Sequence, residues 1–255
     1  LFKNLIYFDS TKVAEYGAVL EGKKHVAIKN VKVNSGKSLN AKVPVVSGGI
    51  NKSNEMEGEI VDNLILDCNE FEELLVSKSK DNYFDFLENE CDAETIPRTS
   101  IVRFEGGFSI PSEFDMMDLI NKFKPMLTSS MNLQNAQEEE IFNKLFSKES
   151  TKIPAFFECS NFEERVGFSK LNSNNLCYEL EHLEDFEDEE VTIIAKVLSR
   201  KDITDKPIVV FDIMKDLFSL SRGIRRQMGD NEIDGIPNIK SDENIIILEV
   251  LTIYQ

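Results

Sequence analysis

Val191-Thr-Ile-Ile-Ala-Lys-Val-Leu198, Pro207-Ile-Val-Val-Phe-Asp212 and Ile245-Ile-Ile-Leu-Glu-Val-Leu-Thr-Ile-Tyr254 are the cleanest structural signals in this chain. The first and last are long runs rich in β-branched residues, and the middle one is a short continuous apolar run. All three read as strands, the middle one as buried. Asp212 caps a helix with Ile213, Leu217, Leu220 and Ile224 on one face, closed by Gly229. The order β-β-α-β predicts a C-terminal unit of that kind. The fold class expected for the whole chain is α+β, with mixed or antiparallel sheets and flanking helices.

Working back toward the N-terminus, the same signals recur more faintly. Leu5-Ile-Tyr-Phe8 is a strand, Asp9-Ser10 a cap, and Val13, Tyr16 and Leu20 mark a short helix stopped by Gly22. Residues 25–33 and 42–46 form a hairpin about Ser35-Gly36-Lys37. Phe71, Leu74 and Leu75, then Tyr83, Phe84, Phe86 and Leu87, suggest two short helices. Ile101–Phe104 and Phe108–Ile110 read as a hairpin turned by Gly106-Gly107. Helices follow after Pro111-Ser112 and over 133–146, and strands over 153–159, 165–171 and 176–180. A composition shift near 92–98 divides a basic N-terminal α+β region, 1–95, from an α+β region, 96–255, unless the two form one continuous domain.

The chain has 255 residues and a net charge of −17, distributed unevenly. Residues 1–52 carry nine lysines against Asp9, Glu15 and Glu21, a net +6; residues 53–190 carry −22 and residues 191–255 carry −1. Such segregation predicts a basic head docking on an acidic middle, of the same chain or of another copy. No apolar run approaches the roughly 20 residues that span a bilayer. Four cysteines without a CxxC pair point to free thiols in a reducing cytoplasm and to no zinc knuckle.

Catalytic motifs fail one by one. Gly36-Lys37-Ser38 lacks the earlier glycine of a phosphate loop, since Val31 stands there, and Pro44 follows where a helix is needed. Glu21-Gly22-Lys23 lies at a helix end, not on the strand a metal-dependent nuclease requires. His25 and His182 have no partner at ligand spacing, and no nucleophile elbow is legible. No catalytic residue, metal ligand or cofactor is assigned, and an enzymatic role is left open with the balance against it. Glu184–Glu190 is an acid run of the kind that forms a solvated linker or helix edge.

Two cationic groups remain as binding candidates. Arg222, Arg225 and Arg226 stand at i, i+3 and i+4 and share a helix face, suited to a phosphate or a partner's carboxylate. Lys23, Lys24, Lys29 and Lys32 line the basic hairpin, which contains no arginine or aromatic residue for stacking bases. Phe114-Asp115-Met116-Met117-Asp118-Leu119 and Phe211-Asp212-Ile213-Met214-Lys215-Asp216-Leu217 are alike, each setting an acid at a strand-to-helix turn.

The opening Leu5-Ile-Tyr-Phe-Asp9 with Val13 and Tyr16, the run Phe-Asp-x-Met-Lys-Asp-Leu-Phe at 211–218, the pair Arg225-Arg226 and the closing Leu251-Thr-Ile-Tyr254 resemble a bacterial family of uncharacterised cytoplasmic proteins, a domain of unknown function. That resemblance implies a bacterial, soluble α+β protein and adds no site residues. The expected function is a non-enzymatic cytoplasmic macromolecule-binding protein, a component of a bacterial assembly with a protein partner or self-association. The alternative is a regulator or defence effector that senses a nucleotide or nucleic acid through the arginine face or the basic hairpin. A further alternative is an acidic mimic of nucleic acid.

Overall fold

The computed structural model describes residues 3–23, 63–79, 81–89, 91–114, 152–187, 189–212, 216 and 238–255. In these, β1 is Leu5–Phe8, α1 Ser10–Leu20, α2 Leu64–Lys78, β2 Tyr83–Asp85, β3 Ile101–Ser109 and β4 Lys152–Glu158. Then follow β5 Arg165–Asn172, β6 Val191–Lys201, β7 Ile208–Phe211, β8 Ile239–Ser241 and β9 Asn244–Tyr254.

Five of these strands close on themselves. β3 pairs antiparallel with β4, β4 with β5, and β6 with both β3 and β9, while β5 and β9 run parallel. Taken in chain order, the barrel strands run first–second–third–fifth–fourth and back to the first, with the third and fifth parallel. This is the strand order of the five-stranded Greek-key barrel of the OB type. Where β4 leaves the edge of β3, β2 pairs in its place; where β5 leaves β9, β1 does so. Both of these strands precede residue 96, and they lie in one sheet with strands that follow it.

Side-chain alternation separates inside from outside. Val102, Phe104, Phe108, Ile153, Ala155, Phe157, Leu171, Ile193, Ala195, Leu248 and Val250 are buried in the main core. Gly106 makes the closure of β3 on β4 feasible, because a Cβ there would fall 1.9 Å from the carbonyl oxygen of Glu158. Gly167 has the matching role inside the barrel, its missing side chain leaving room for Phe157, Phe162 and Leu248.

The outer face of β9, β6 and β3 carries a second core. Leu5, Phe8, Val13, Cys68, Phe71 and Leu75 pack there on Ile101, Ile194, Leu251 and Tyr254. Asp9 caps α1, its Oδ1 accepting from the Lys12 backbone N–H at 3.0 Å, and Asn63 does the same for α2 with Leu66 at 3.2 Å. Gly22 ends α1 at φ +67°. Cys68, Phe71 and Leu75 give α2 its buried face.

These facts correct the expected α+β class with its β-β-α-β unit. The molecule is mainly β. β6 and β9 pair with each other along their whole lengths, and β7 leaves them to form a separate two-stranded sheet with β8. Gly106-Gly107 is the interior of one nine-residue strand, where backbones pass closely, and not a turn. Of the run expected as a second short helix, Tyr83 and Phe84 lie in β2, where the first half of β3 has an open edge to fill, and Phe86 and Leu87 lie in the turn after it. Residues 176–180 contribute one bridge, Tyr7 to Leu176, in place of a strand. The hairpin over 25–46 and the helices over 115–146 and 217–229 lie outside the described residues.

Candidate macromolecule-binding face

The outer face of β4 and β5 is the counterpart of the second- and third-strand face that binds ligands in OB-type barrels. Register sets Phe156 opposite Phe168, Pro154 opposite Lys170 and Lys152 opposite Asn172, all on the side away from Phe157 and Gly167. The Phe156 and Phe168 rings meet at 5.2 Å between centroids, tilted by 57°. Phe168 and Ile247 are partners in the β5–β9 ladder and extend this apolar row.

An outward-facing Phe168 that is 1% exposed must be covered by something. The cover comes from the chain itself. Val210 and Phe211 of β7, Ile239 of β8 and Phe114 join the cluster that contains Phe168. Phe211 and Phe114, the first residues of the two similar Phe-Asp runs, meet edge to face at 5.7 Å. Lys170 Nζ stands 2.5 Å from Asp216 Oδ2 and 5.5 Å from the centre of the Phe211 ring. The Asp216 carboxylate also accepts from the Asp212 backbone N–H at 3.0 Å.

A second polar region lies on the opposite side, between α2 and the start of β3. A pocket of about 480 Å³ is lined by Asn69, Glu72, Glu73, Val76, Tyr83 and Arg103. Two of its charges are matched: Arg103 Nη1 donates to Asp85 Oδ2 at 3.1 Å, and Glu72 pairs with Lys3. Lys3 Nζ also lies over the Tyr254 ring at 4.1 Å. Burial, reinforced by the Asp85 charge, pushes the Tyr83 hydroxyl up, and burial with the Glu72 charge does the same to Tyr254. Burial pushes the Cys68 thiol up to about 11. Such groups hold their protons at neutral pH, which suits a packed ion-pair network.

The family model of a domain of unknown function, DUF6414, matches residues 2–254. This chain belongs to that family. No curated protein and no solved structure matches the chain.

Most of the binding residues expected for this DUF6414 chain lie outside the described residues: Arg222, Arg225, Arg226, Lys24, Lys29 and Lys32. Lys23 is described, and it pairs locally with Glu21 at 2.7 Å beyond the end of α1. Among the described residues no group of His, Cys, Asp and Glu is placed to hold a metal, and no helix is long and apolar enough to cross a membrane. Cys68, Cys91, Cys159 and Cys177 are free thiols. His182 is exposed and lies 3.7 Å from Asp185. The acid run 184–190 is not simply solvated: Phe186 packs on the main core and Glu187 accepts from the Ile110 backbone N–H at 2.8 Å.

Sequence reasoning missed Lys170, Phe156 and Phe168. Adjacent phenylalanines in a strand are an ordinary core signal, and only the closure of the barrel sends Phe157 inward and Phe156 outward. The recurrent Phe-Asp run was the one visible hint.

Proposed function

We propose that this DUF6414 chain is a non-enzymatic macromolecule-binding protein of the bacterial cytoplasm, a component of a protein assembly, and that it binds through the outer face of β4 and β5. The observation that carries this reading is the aromatic pair Phe156 and Phe168 beside Lys170, on the face that corresponds to the ligand-binding one of OB-type barrels. The warrant is an analogy at the level of fold, sharpened by the chemistry of the face.

The test is a pulldown from the native source, with size in solution measured at low and high salt. Wild-type protein is expected to retain a partner or a second copy, and Lys170→Glu to lose it. A salt-insensitive monomer without any partner would refute the reading.

A second reading is that the face binds single-stranded nucleic acid, and the strand order of the barrel favours it. The −22 charge of residues 53–190 opposes it, because a polyanion would be repelled over the whole approach. Fluorescence anisotropy with short single-stranded oligonucleotides separates the two.

A further inference from the structure

The β4–β5 face holds a ligand-like segment of its own chain. A ring, Phe211, and a carboxylate, Asp216, both address Lys170, with the aromatic pair Phe156 and Phe168 on the same face. Phe211 is fully buried, whereas Val209, two residues earlier on β7, is 45% exposed. The β7–β8 ladder is irregular between these two residues, and its covered end is the one that carries Val210 and Phe211. Among the described residues the β7–β8 pair has no ladder to a barrel strand. The contacts of Phe211 and Asp216 with Lys170 are made by side chains.

A tethered segment competes at an effective concentration on the order of millimolar, so an external ligand sees the face as largely closed. We propose that Phe211 and Asp216 are resident stand-ins on the β4–β5 face, holding the place of an aromatic–acidic peptide from a partner protein that displaces them. The proposal rests on the reading of that face as the binding surface and adds its ligand class and its regulation. A peptide fits better than a nucleic acid. The face offers Lys152 and Lys170 with Glu158 at the end of the same strand, too few cations for a charge at every nucleotide. One carboxylate beside one ring is what Lys170 already accepts.

The experiment uses the full chain and a labelled peptide copying residues 208–218, Ile-Val-Val-Phe-Asp-Ile-Met-Lys-Asp-Leu-Phe, with a scrambled version and a single-stranded oligothymidylate as controls. Phe211→Ala with Asp216→Asn is expected to bind the peptide about tenfold or more tightly than wild type, and adding Lys170→Glu to abolish the gain. Asp216→Asn alone keeps a carbonyl for the Asp212 N–H and guards against misfolding of the double variant; it is expected to show a smaller gain. Equal binding by wild type and by the folded Asp216→Asn protein overturns the stand-in, and so does equal gain for the scrambled peptide. Gain for the oligonucleotide alone overturns the peptide class. If partner capture by wild type is unaffected by Lys170→Glu, the underlying face reading fails; if capture depends on Lys170 while the variants gain no peptide affinity, only the stand-in fails.

Discussion

The carbonyl oxygen of Glu158 occupies space that a side chain at Gly106 would need, with the position of a Cβ only 1.9 Å from it. The oxygen is a backbone atom and a Cβ is fixed by the backbone that bears it, so neither can swing aside. β3 bends at this point from its ladder with β6 to its ladder with β4, and the barrel closes through the gap. Gly106→Ala is expected to destabilise the protein by about 3 kcal/mol, at the upper end of ordinary overpacking. Gly167→Ala, whose Cβ would meet side chains at 3.0 Å, is expected to lose less. Paired urea melts give the order, and an unchanged midpoint for Gly106→Ala would remove the closure argument.

Lys3 and Glu72 form a pair that is largely withdrawn from water, their side chains 9% and 17% exposed. Removing one partner strands the other charge. Lys3→Ala and Glu72→Ala are each expected to cost about 3 kcal/mol, and the double variant less than their sum. High salt, which weakens exposed pairs, is expected to leave this coupling nearly intact. A double-mutant cycle at two salt concentrations measures it. Additive losses would mean the pair contributes nothing beyond packing.

Alkaline pH acts through Cys68. Its folded value is raised from 9.0 to about 11 by burial, partly offset by Lys3. A raised value means that stability is fully present below pH 9 and declines as pH rises toward 11, because the unfolded chain releases its proton first. Tyr7, Tyr16, Tyr83 and Tyr254, all raised mainly by burial, extend the decline above pH 10. Cys68→Ala is expected to flatten the part of the curve that begins at pH 9. In native protein at pH 8, alkylation read by mass spectrometry is expected at the exposed Cys177 well before the buried Cys68.

Asp9 sits at the joint between β1 and α1, where it accepts from Lys12 N–H and donates its own N–H to Leu251 O at 2.9 Å. Asp9→Ala keeps the second bond and loses the first. The expected loss is about 1 kcal/mol, with Asp9→Asn close to wild type. Thermal melts of the two variants decide between a capping role and a purely backbone one.

Local signals carried much of the strand list. Leu5–Phe8, 165–171, 191–198 and 245–254 fall within observed strands, and the expected 153–159 and 207–211 overrun β4 and β7 by one residue each, since apolar runs rich in branched and aromatic residues have few other solutions. The pairing of those strands was not legible. β6 and β8 are followed by β7 and β9 in the chain, yet β6 pairs with β9 and β7 with β8. Adjacency in sequence suggested one C-terminal unit, and nothing in a strand's own residues says which distant edge it will meet. The candidate face was hidden for the same reason. Phe156 and Phe157 are indistinguishable as residues; one faces Phe168 outside and the other faces Phe104 inside.

The amino-acid sequence alone settles the cap at Asp9, the glycine stop at Gly22, the presence of long apolar strands and the uneven charge, because each depends on near neighbours in the chain. Tertiary structure alone decides that five strands close into a barrel, that Gly106 lets two backbones cross, and that Phe211 and Asp216 come to rest on Lys170. Those outcomes depend on contacts between residues far apart in sequence, where chain closure and the exclusion of overlapping atoms choose among pairings that local preference leaves equal.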